Sequence, residues 1–427
     1  MLDIKFIRDN PDLVRENLKK RNDPSNLKML DELILLDKKW RANVTKVSEL
    51  RRRRNEISIE IAKLKKEKKD AKHLLKEADE TAEEIKKLDV DTEKLQHKTK
   101  EILLTLPNLL HESVPLGRDE HENVEVKRWG KPPKFDFTPK SHAEIALDLG
   151  LADFERGAKV AGAGFYYLKN ELALLDMAIQ RFAVDHLRKK GYQFIEPPYM
   201  ITRKAYEGVI APSDFETVTY KIEGEDLYMI ATAEHPLGAM MMDEVIELKD
   251  LPLKFVGFSS CYRKEIGAHG KYTKGIFRVH QFNKVEQFIF CKPEDSWELH
   301  EELQRNAEEL YEALGLHYRV MNVCTGDIGT IAAKKYDIDC WMADGTFRET
   351  GSNSNCTDYQ ARRLNVKYRE GEGKAPIGFV HTLNNTALAT SRTMIAILEQ
   401  FQQKDGSVKI PKALVPWMGG VEKLVRN

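Results

Sequence analysis

The sequence predicts an α+β protein in which an N-terminal antiparallel two-helix coiled coil precedes a domain with a mixed, mainly antiparallel sheet flanked by helices. Two observations carry this prediction. No proline occurs between Pro24 and Pro107, and apolar residues recur there at three- and four-residue steps, as in a coiled coil. Further along the chain, short strand-like runs alternate with helical stretches, as in a mixed α+β domain.

Two heptad series define the predicted helical hairpin. The first series is Leu33, Leu36, Trp40, Val47, Leu50, Ile57, Ile61 and Leu64, with Asn43 and Arg54 at its polar gaps. The second series is Leu74, Ala78, Thr81, Ile85, Leu88, Thr92, Leu95, Thr99, Ile102 and Leu106. The polar stretch 65–73 between them predicts a turn. Helices of roughly 35 to 40 residues reach about 50 to 60 Å, so the hairpin is expected to project into solvent.

The chain is expected to divide into a first domain of residues 1–112, with the hairpin at about 27–106, and a second domain of residues 113–427. Residues 1–26 are expected to add a short helical segment at the base of the hairpin. The strand-like runs of the second domain are 192–195, 227–230, 254–260, 285–291 and 318–323. Its helical stretches lie near 172–190, 297–314 and 392–402.

Composition excludes several classes of protein. The 68 Lys and Arg residues balance 68 Asp and Glu residues, so only a local basic patch could favour a polyanion. Five widely spaced cysteines form no C-x-x-C pair, which indicates buried thiols in a reducing compartment. No signal-peptide pattern or long apolar run occurs, so a soluble, cytoplasmic protein is expected. Neither common glycine-rich nucleotide-binding loop is present.

A hairpin rich in charged and aromatic residues is predicted between residues 261 and 288, around a Gly- and Lys-rich loop at 267–275. Alternation along its strands can bring Arg263, Arg278, Phe282 and Glu286 onto a shared face. Guanidinium groups bind phosphates and an aromatic face stacks on a purine, so the pattern suits nucleotide binding. Taken alone, the same residues are more typical of surface ion pairs and a core aromatic ring.

Several segments resemble the motifs of one enzyme family, the seryl-tRNA synthetases among the class II aminoacyl-tRNA synthetases. Arg263-x-Glu265 and Phe277–Phe282 resemble motif 2. The other matching segments are Gly191–Pro198 (motif 1), His381–Arg392 followed by 396–407 (motif 3), Thr232–Glu234 and Ser354–Arg362. The resemblance extends over essentially the whole chain, and the shared order and spacing of the segments make chance agreement improbable.

The resemblance implies a serine–tRNA ligase of the AMP-forming type. Such an enzyme activates L-serine with ATP and transfers the seryl group to the 3′ end of tRNA(Ser), and the resemblance leaves open whether tRNA(Sec) is a second acceptor. It implies magnesium as the ion that accompanies ATP, and a homodimer built through motif 1. No membrane or DNA partner is expected, and no zinc, because no Cys/His cluster has zinc-ligand spacing.

The resemblance also implies roles for the matching residues. The catalytic residues would be Arg263, Arg392 and Glu349. The ATP-binding residues would be Arg263, Glu265, Arg278, Phe282, Glu349, Ser352 and Arg392, with Glu349 and Ser352 holding magnesium. The serine-binding residues would be Thr232, Glu234, Arg263, Glu286, Asn384 and Thr386. Two positions depart from the family pattern: Tyr272 stands where many members carry Asp, and Gly351-Ser-Asn353 replaces a commoner Ser-Ser-Cys or Val-Ser-Cys.

The outer part of the hairpin carries a concentrated positive charge. Residues 51–76 contain 11 basic and 4 acidic residues, a net charge of 11 − 4 = +7. A charged coiled-coil surface is as often simply a solvated face, but an excess of this size favours phosphate binding. By resemblance the partner is tRNA(Ser). The expected tRNA-binding residues are Arg51, Arg52, Arg53, Arg54, Lys63, Lys65, Lys66 and Lys69.

Other classes of protein fit the residues less well. A non-catalytic synthetase paralogue that binds RNA or acts as a scaffold should have lost motif residues, whereas Arg263, Arg278, Arg392 and Glu349 are all present. A ligase that charges a carrier protein would lack the hairpin. A class II synthetase for another amino acid and the zinc-dependent serine enzyme of some methanogens are the remaining alternatives.

Overall fold

The computed structural model describes residues 1–265 and 275–426. They form two compact units, Leu2–Pro107 and Met1 with the residues from Asn108 onward. The predicted loop at 267–275, including Tyr272, lies outside the described residues except for Gly275. Within the described ranges, no helix is both long and apolar enough to span a bilayer. All five cysteines are buried and unpaired, which confirms the prediction of buried thiols.

The first unit is helical. Its helices are α1 Ile4–Asp9, α2 Pro11–Lys19, α3 Pro24–Lys66 and α4 Lys72–Thr105. Helix α3 begins where the side chain of Asp23 accepts a hydrogen bond from the Ser25 amide and Pro24 takes the first helical position, where a missing N–H costs nothing. The predicted turn is confirmed between Lys66 and Lys72.

The two long helices pack antiparallel along the predicted seam. Lys46 forms an ion pair with Glu84, and the more distal Arg53 forms one with Glu77, so later residues of α3 face earlier residues of α4. Seam residues from both series are buried. Among them are Leu33, Leu36, Val47, Ile57, Leu74, Thr81 and Ile85. The coiled coil predicted from the heptads is therefore confirmed.

The second unit is built on an eight-stranded sheet. Its strands, in spatial order, are β1 Val124–Trp129, β10 Tyr318–Asn322, β11 Lys334–Trp341, β12 Phe347–Asn355, β15 His381–Ala389, β9 Gln281–Cys291, β8 Leu253–Tyr262 and β4 Gln193–Ile195. The pairing is antiparallel throughout except between β4 and β8, which are parallel. The predicted mixed, mainly antiparallel sheet is confirmed.

Smaller strands and helices complete the unit. The short strands are β2 Ala152–Asp153, β3 Tyr167–Leu168, β5 Met200–Ile201, β6 Tyr228–Met229, β7 Val245–Glu247, β13 Lys367–Arg369, β14 Gly378–Phe379, β16 Val408–Lys409 and β17 Lys423–Leu424. The helices are α5 His142–Asp148, α6 Phe154–Ala161, α7 Asn170–Lys189, α8 Arg203–Val209, α9 Pro212–Val218, α10 Glu234–Ala239, α11 Ser296–Ala313, α12 Tyr359–Leu364 and α13 Thr390–Gln400.

Both faces of the sheet are covered, which explains why strand β9 is buried on both sides. Its odd-numbered apolar residues, such as Val285 and Ile289, join a core with α7, α11 and α13. Its even-numbered residues Phe288 and Phe290 join a second core with α10 and α12. Because side chains alternate along a strand, the even-numbered polar residues of β9 must lie on this second face.

The sequence did not predict the three strands β11, β12 and β15. Strand β12 reads Phe-Arg-Glu-Thr-Gly-Ser-Asn-Ser-Asn, which is poor in the β-branched and aromatic residues that favour strands. It forms because its neighbours β11 and β15 pair with it on both sides. The tertiary structure here overrides local preference.

Two isoleucines on one turn of α3 test the packing of the coiled coil. Ile57 is fully buried, whereas Ile59 is 72% exposed. We expect Ile57→Ala to lower the free energy of unfolding of the hairpin by about 2 to 5 kcal/mol, because it opens a cavity in the seam. Ile59→Ala should change it by less than about 0.5 kcal/mol. Urea titrations followed by circular dichroism measure both, and equal effects would contradict the assigned seam.

Candidate active site

A cavity of about 410 Å³ lies on the second face of the large sheet. Strands β9, β12 and β15, helix α10 and the start of α13 supply its walls. The predicted site residues that line it are Thr232, Glu234, Arg263, Glu265, Phe282, Glu286, Glu349, Ser352, Asn384, Thr386 and Arg392. The fold thus brings together residues separated by more than a hundred positions in the sequence.

One end of the cavity holds two carboxylates, of which Glu286 is buried and Glu234 is partly exposed. Glu286 lies on β9 opposite Thr386 of β15, and the Thr386 hydroxyl donates to its Oε2 at 3.4 Å. Glu234 begins α10, and its Oε1 accepts a hydrogen bond of 3.2 Å from the Gln360 amide. Burial, and then the charge of Glu286, raise the pKa of Glu234 to about 7. Burial also raises the pKa of Glu286.

A lysine that the sequence analysis did not select compensates these carboxylates. The Lys284 Nζ lies 2.5 Å from the Glu286 Oε2, and both side chains are almost completely buried. The positive charge of Lys284 opposes the effect of burial on the pKa of both glutamates. The sequence did contain a signal for Lys284: it lies two residues before Glu286 on a predicted strand, so both side chains are expected on the same face.

Arg263 lines the cavity, and its positive charge favours the ionised forms of Glu234 at one end and Glu349 at the other. Its guanidinium stands 5.2 Å from the centre of the Phe282 ring, and its Nε donates to the Ala231 carbonyl at 3.3 Å. The Arg263 amide donates to the His280 carbonyl, and the Arg263 carbonyl lies 2.9 Å from the His280 Nδ1. These bonds hold the backbone of Arg263 against the residue that precedes strand β9.

The other end of the cavity carries the arginine predicted from motif 3. The Arg392 Nη1 donates to the backbone carbonyl of Glu349 at 2.8 Å and lies 3.5 Å from the Glu349 Oε1. Its guanidinium also stands 5.0 Å from the centre of the Phe277 ring. The neighbouring Asp337, which the sequence analysis also missed, is paired with Ser352 in the strand register. Burial and the Glu349 carboxylate raise the pKa of Asp337.

The arginines of the predicted hairpin do not lie on its strands. Strand β8 ends at Tyr262 and β9 begins at Gln281, so Arg263 and Arg278 belong to the connection between them. Arg278 is not among the residues that line the cavity. Its side chain is half exposed, and its Nη1 lies 3.8 Å from the Glu265 Oε2. The expectation of one shared strand face therefore holds for Phe282 and Glu286 but is wrong for the two arginines.

Asn353 is one of the positions that depart from the family pattern, and its side chain faces away from the cavity. Its Nδ2 donates to the His300 carbonyl at 3.0 Å and to the Gln304 Oε1 at 3.2 Å, both on α11. Ser352, the adjacent residue, lines the cavity. Strand alternation separates the two side chains, so Asn353 supports the packing of the helix on the sheet and does not contact a ligand in the cavity.

The Glu349 carboxylate and the Ser352 hydroxyl both open onto the cavity, and such oxygen donors suit magnesium. Within the described ranges, no group of three or more His, Cys, Asp or Glu side chains could hold a metal ion. The donor set nevertheless fits magnesium, because this ion is commonly bound by one or two carboxylates together with substrate phosphates.

Residues 217–401 match the family described as tRNA synthetase class II core domain (G, H, P, S and T). Together with the sheet and its cavity, this match defines the class as class II aminoacyl-tRNA synthetase. Residues 1–110 match the seryl-tRNA synthetase N-terminal domain. The serine–tRNA ligase of Methanocella arvoryzae is 57% identical over 425 residues, which cover 99% of this chain and 100% of that protein.

Solved structures agree with these matches. The crystal structure of seryl-tRNA synthetase from Pyrococcus horikoshii complexed with ATP has a TM-score of 0.97 and 48% identity, and the match covers 100% of both chains. The cytoplasmic serine–tRNA ligase from Naegleria fowleri in complex with AMP has a TM-score of 0.91 and 35% identity, covering 100% of this chain and 99% of that one. This chain belongs to the seryl-tRNA synthetase family and is a serine–tRNA ligase, as the motifs predicted.

Ser352 and Asn353 make a matched pair for testing the two faces of β12. We expect Asn353→Ala to lower the free energy of unfolding by about 1 to 3 kcal/mol, because buried acceptors on α11 lose their donor, with no change in ATP affinity. Ser352→Ala should instead weaken ATP binding and change stability by less than about 1 kcal/mol. Urea unfolding and calorimetric titration with ATP measure the two properties. If both variants changed the free energy of unfolding and the ATP affinity in the same way, the assignment of Ser352 and Asn353 to opposite faces of β12 would be contradicted.

Proposed function

We propose that the cavity forms seryl-adenylate from L-serine and ATP and then passes the seryl group to tRNA(Ser). The observation that carries this proposal is the arrangement of charge: one cavity holds the carboxylates of Glu234 and Glu286 at one end and the guanidinium of Arg392 at the other, and Arg263 also lines it. An amino acid presents an ammonium group to the first end, and ATP presents phosphates to the second. The carboxylate of serine then meets the α-phosphate between them.

We assign the ATP contacts to residues of the central and arginine ends. Arg263 binds the α-phosphate, with Glu265 close to the nucleotide. Phe282 stacks on the adenine, Arg392 covers its other face and reaches the γ-phosphate, and Arg278 meets the outer phosphates. Arg278 is half exposed beside Glu265, so its side chain has room to turn towards a bound nucleotide. Guanidinium groups suit these tasks because they bind phosphate oxygens bidentately and stay charged.

We assign serine to the carboxylate end. Glu234 and Thr232 bind its ammonium group, Glu286 and Thr386 bind its hydroxyl group, and Asn384 lines the pocket. Burial, and then the negative charge of Glu286, raise the pKa of Glu234, so a cation placed beside its carboxylate favours the ionised form. The ammonium group of serine supplies that cation.

The reaction needs no nucleophile from the protein. An oxygen of the serine carboxylate attacks the α-phosphorus, and the bond to the bridging oxygen breaks as pyrophosphate leaves. A ribose hydroxyl at the 3′ end of the tRNA then attacks the carbonyl carbon, and AMP leaves. Arg263 stabilises the charge that develops on the α-phosphoryl oxygens. Magnesium, held by Glu349 and Ser352, would neutralise phosphate charge when bound.

We propose that the hairpin binds the tRNA through cations at its distal end. Several of the expected tRNA-binding residues already pair with acids. Arg51 pairs with Asp89, Arg52 with Glu56, Arg53 with Glu77, and Lys69 with Glu67. Within the described hairpin no ion pair is formed by Arg54, Lys63, Lys65 or Lys66, and all four are exposed. These four are therefore the best placed to bind phosphates.

We further propose a homodimer in the cytoplasm. The motif 1 segment Gly191–Pro198 contains β4, an edge strand of the large sheet, and Phe194 on this strand is 42% exposed. On the preceding helix α7, Leu174 and Met177 are 46% and 63% exposed. An unpaired edge beside exposed apolar side chains is suited to a second copy of the chain. Five unpaired thiols suit the reducing cytoplasm.

The activation step is tested by serine-dependent exchange of labelled pyrophosphate into ATP. We expect the wild type to exchange with serine and Arg263→Ala to be slower by a factor on the order of 100 or more, because a group that stabilises developing charge is lost. The matched control is Arg128→Ala on the edge strand β1, whose guanidinium pairs with Glu125 away from the cavity. It should stay within about twofold of the wild type.

No exchange by the wild type with any amino acid would contradict the proposed activity and favour a non-catalytic RNA-binding paralogue. Aminoacylation of tRNA(Ser) and tRNA(Sec) transcripts in the same preparation then determines the acceptor.

The role of the hairpin is tested by replacing its unpaired cations. We expect the variant Arg54→Gln, Lys63→Gln, Lys65→Gln, Lys66→Gln to bind tRNA(Ser) more weakly and with a flatter dependence on salt, because fewer counterions are released. Pyrophosphate exchange, which needs no tRNA, should be unchanged. The control variant replaces the exposed Lys86, Lys87, Lys94 and Lys98 of α4 by Gln and loses the same charge. Equal weakening by both variants would contradict a specific site at the distal end.

A further inference from the structure

Lys284 is a buried cation within the cavity that none of the roles above uses. It lies on β9 two residues before Glu286, so both side chains point to the cavity face of the sheet. Only 6% of Lys284 and 1% of Glu286 are exposed. Lysine is almost never buried to this degree without a partner, because an ammonium group loses much hydration free energy when it leaves water.

The contacts of Lys284 place its ammonium group at the proposed site for the serine hydroxyl. Its Nζ lies 2.5 Å from the Glu286 Oε2 and donates to the Thr386 Oγ1 at 3.4 Å. The Thr386 hydroxyl in turn donates to the Glu286 Oε2 at 3.4 Å. An ammonium group has three N–H donors, and two are directed at these partners. The third can meet an acceptor in the cavity.

We propose that Lys284 is a specificity-determining residue that recognises the serine hydroxyl together with Glu286. A hydroxyl group both donates and accepts hydrogen bonds, whereas a carboxylate only accepts and an ammonium group only donates. The Lys284–Glu286 pair therefore matches both capacities of the hydroxyl group. This inference rests on the proposed function of the cavity in serine activation.

The ion pair also keeps two neighbouring carboxylates in separate roles. Glu234 and Glu286 share one cavity, and each negative charge disfavours the other. The positive charge of Lys284 favours the ionised form of Glu286, which can then only accept. Glu234 remains available for the substrate ammonium group. A neutral residue at position 284 would leave the two carboxylates in competition for that single cation.

This arrangement predicts a particular pattern of discrimination. Alanine lacks the hydroxyl group, so its binding leaves both the ammonium group and the carboxylate without their partner in a buried site. Threonine carries the same hydroxyl group and differs from serine by a methyl group. The Lys284–Glu286 pair binds the hydroxyl group and does not recognise the methyl group. Loss of Lys284 should therefore reduce discrimination between serine and alanine and leave discrimination between serine and threonine unchanged.

The test is pyrophosphate exchange with serine, alanine and threonine as separate substrates, measured as kcat/KM. Lys284→Met removes the charge and keeps the length of the side chain. Lys254→Met on the neighbouring strand β8 is the matched control, because its Nζ pairs with Glu302 at 2.7 Å outside the cavity. The double variant Lys284→Met, Glu286→Gln leaves no unpaired buried charge. If the single variant does not fold, the kcat/KM ratios for the three amino acids are measured on the double variant instead.

We expect Lys284→Met to lower the serine-to-alanine ratio of kcat/KM by a factor on the order of 10 to 100. The serine-to-threonine ratio should stay within about threefold of the wild type, and Lys254→Met should retain both ratios. The double variant should lose little more discrimination than the single one, because the two residues act as a unit. The inference is overturned if the serine-to-alanine ratio is retained, or if both ratios fall together as in a loosened cavity. Absence of serine-dependent exchange in the wild type would instead refute the proposed function itself.

Discussion

The antiparallel pairing of β9 with β15 is the contact on which the rest of the site depends. Its register sets Glu286 opposite Thr386, residues that are 100 positions apart in the sequence, and an irregularity follows at once between Thr386 and Leu388. Strand β12 pairs with the far side of β15 and adds Glu349 and Ser352 to the same cavity. A shift of β15 by one residue would turn Thr386 to the opposite face of the sheet and separate it from Glu286, because side chains alternate along a strand.

The cavity combines carboxylates with cationic side chains, and some of them form ion pairs. The carboxylates and their compensating lysine lie on β9 and α10, whereas Arg392 is held by the backbone carbonyl of Glu349. These charges are thereby fixed by strands and helices before a substrate arrives, whereas Arg263 is held by its bonds to Ala231 and His280. Electrostatic groups held in this way are effective in catalysis because they need little reorganisation as the reaction proceeds. Long helices in a separate unit supply the proposed contacts with the tRNA.

The sequence was most informative where its pattern was periodic or its motif complete. Heptads predicted the coiled coil and its turn, and all the serine- and ATP-binding residues predicted from the motifs line the cavity except Arg278. Strand β12 was not predicted, because its polar residues form a strand only through pairing with β11 and β15 on either side. Lys284 was missed for a related reason: it looks like a solvated charge in the sequence, and only the packing on both faces of the sheet shows that it is buried. Asp337, which is partly exposed, was missed because its position opposite Ser352 is set by the strand register. The two hairpin arginines were misplaced because strand ends cannot be located from alternation alone.

The central claim is that one cavity binds both the serine and the adenylate parts of a single intermediate. Calorimetric titration of the wild-type protein with a non-hydrolysable seryl-sulfamoyl adenosine, and separately with its alanyl counterpart, tests it most directly. The account predicts one site per chain and an affinity for the seryl compound that is higher by a factor on the order of 100 or more. Equal affinities, or binding governed by adenosine alone, would contradict it.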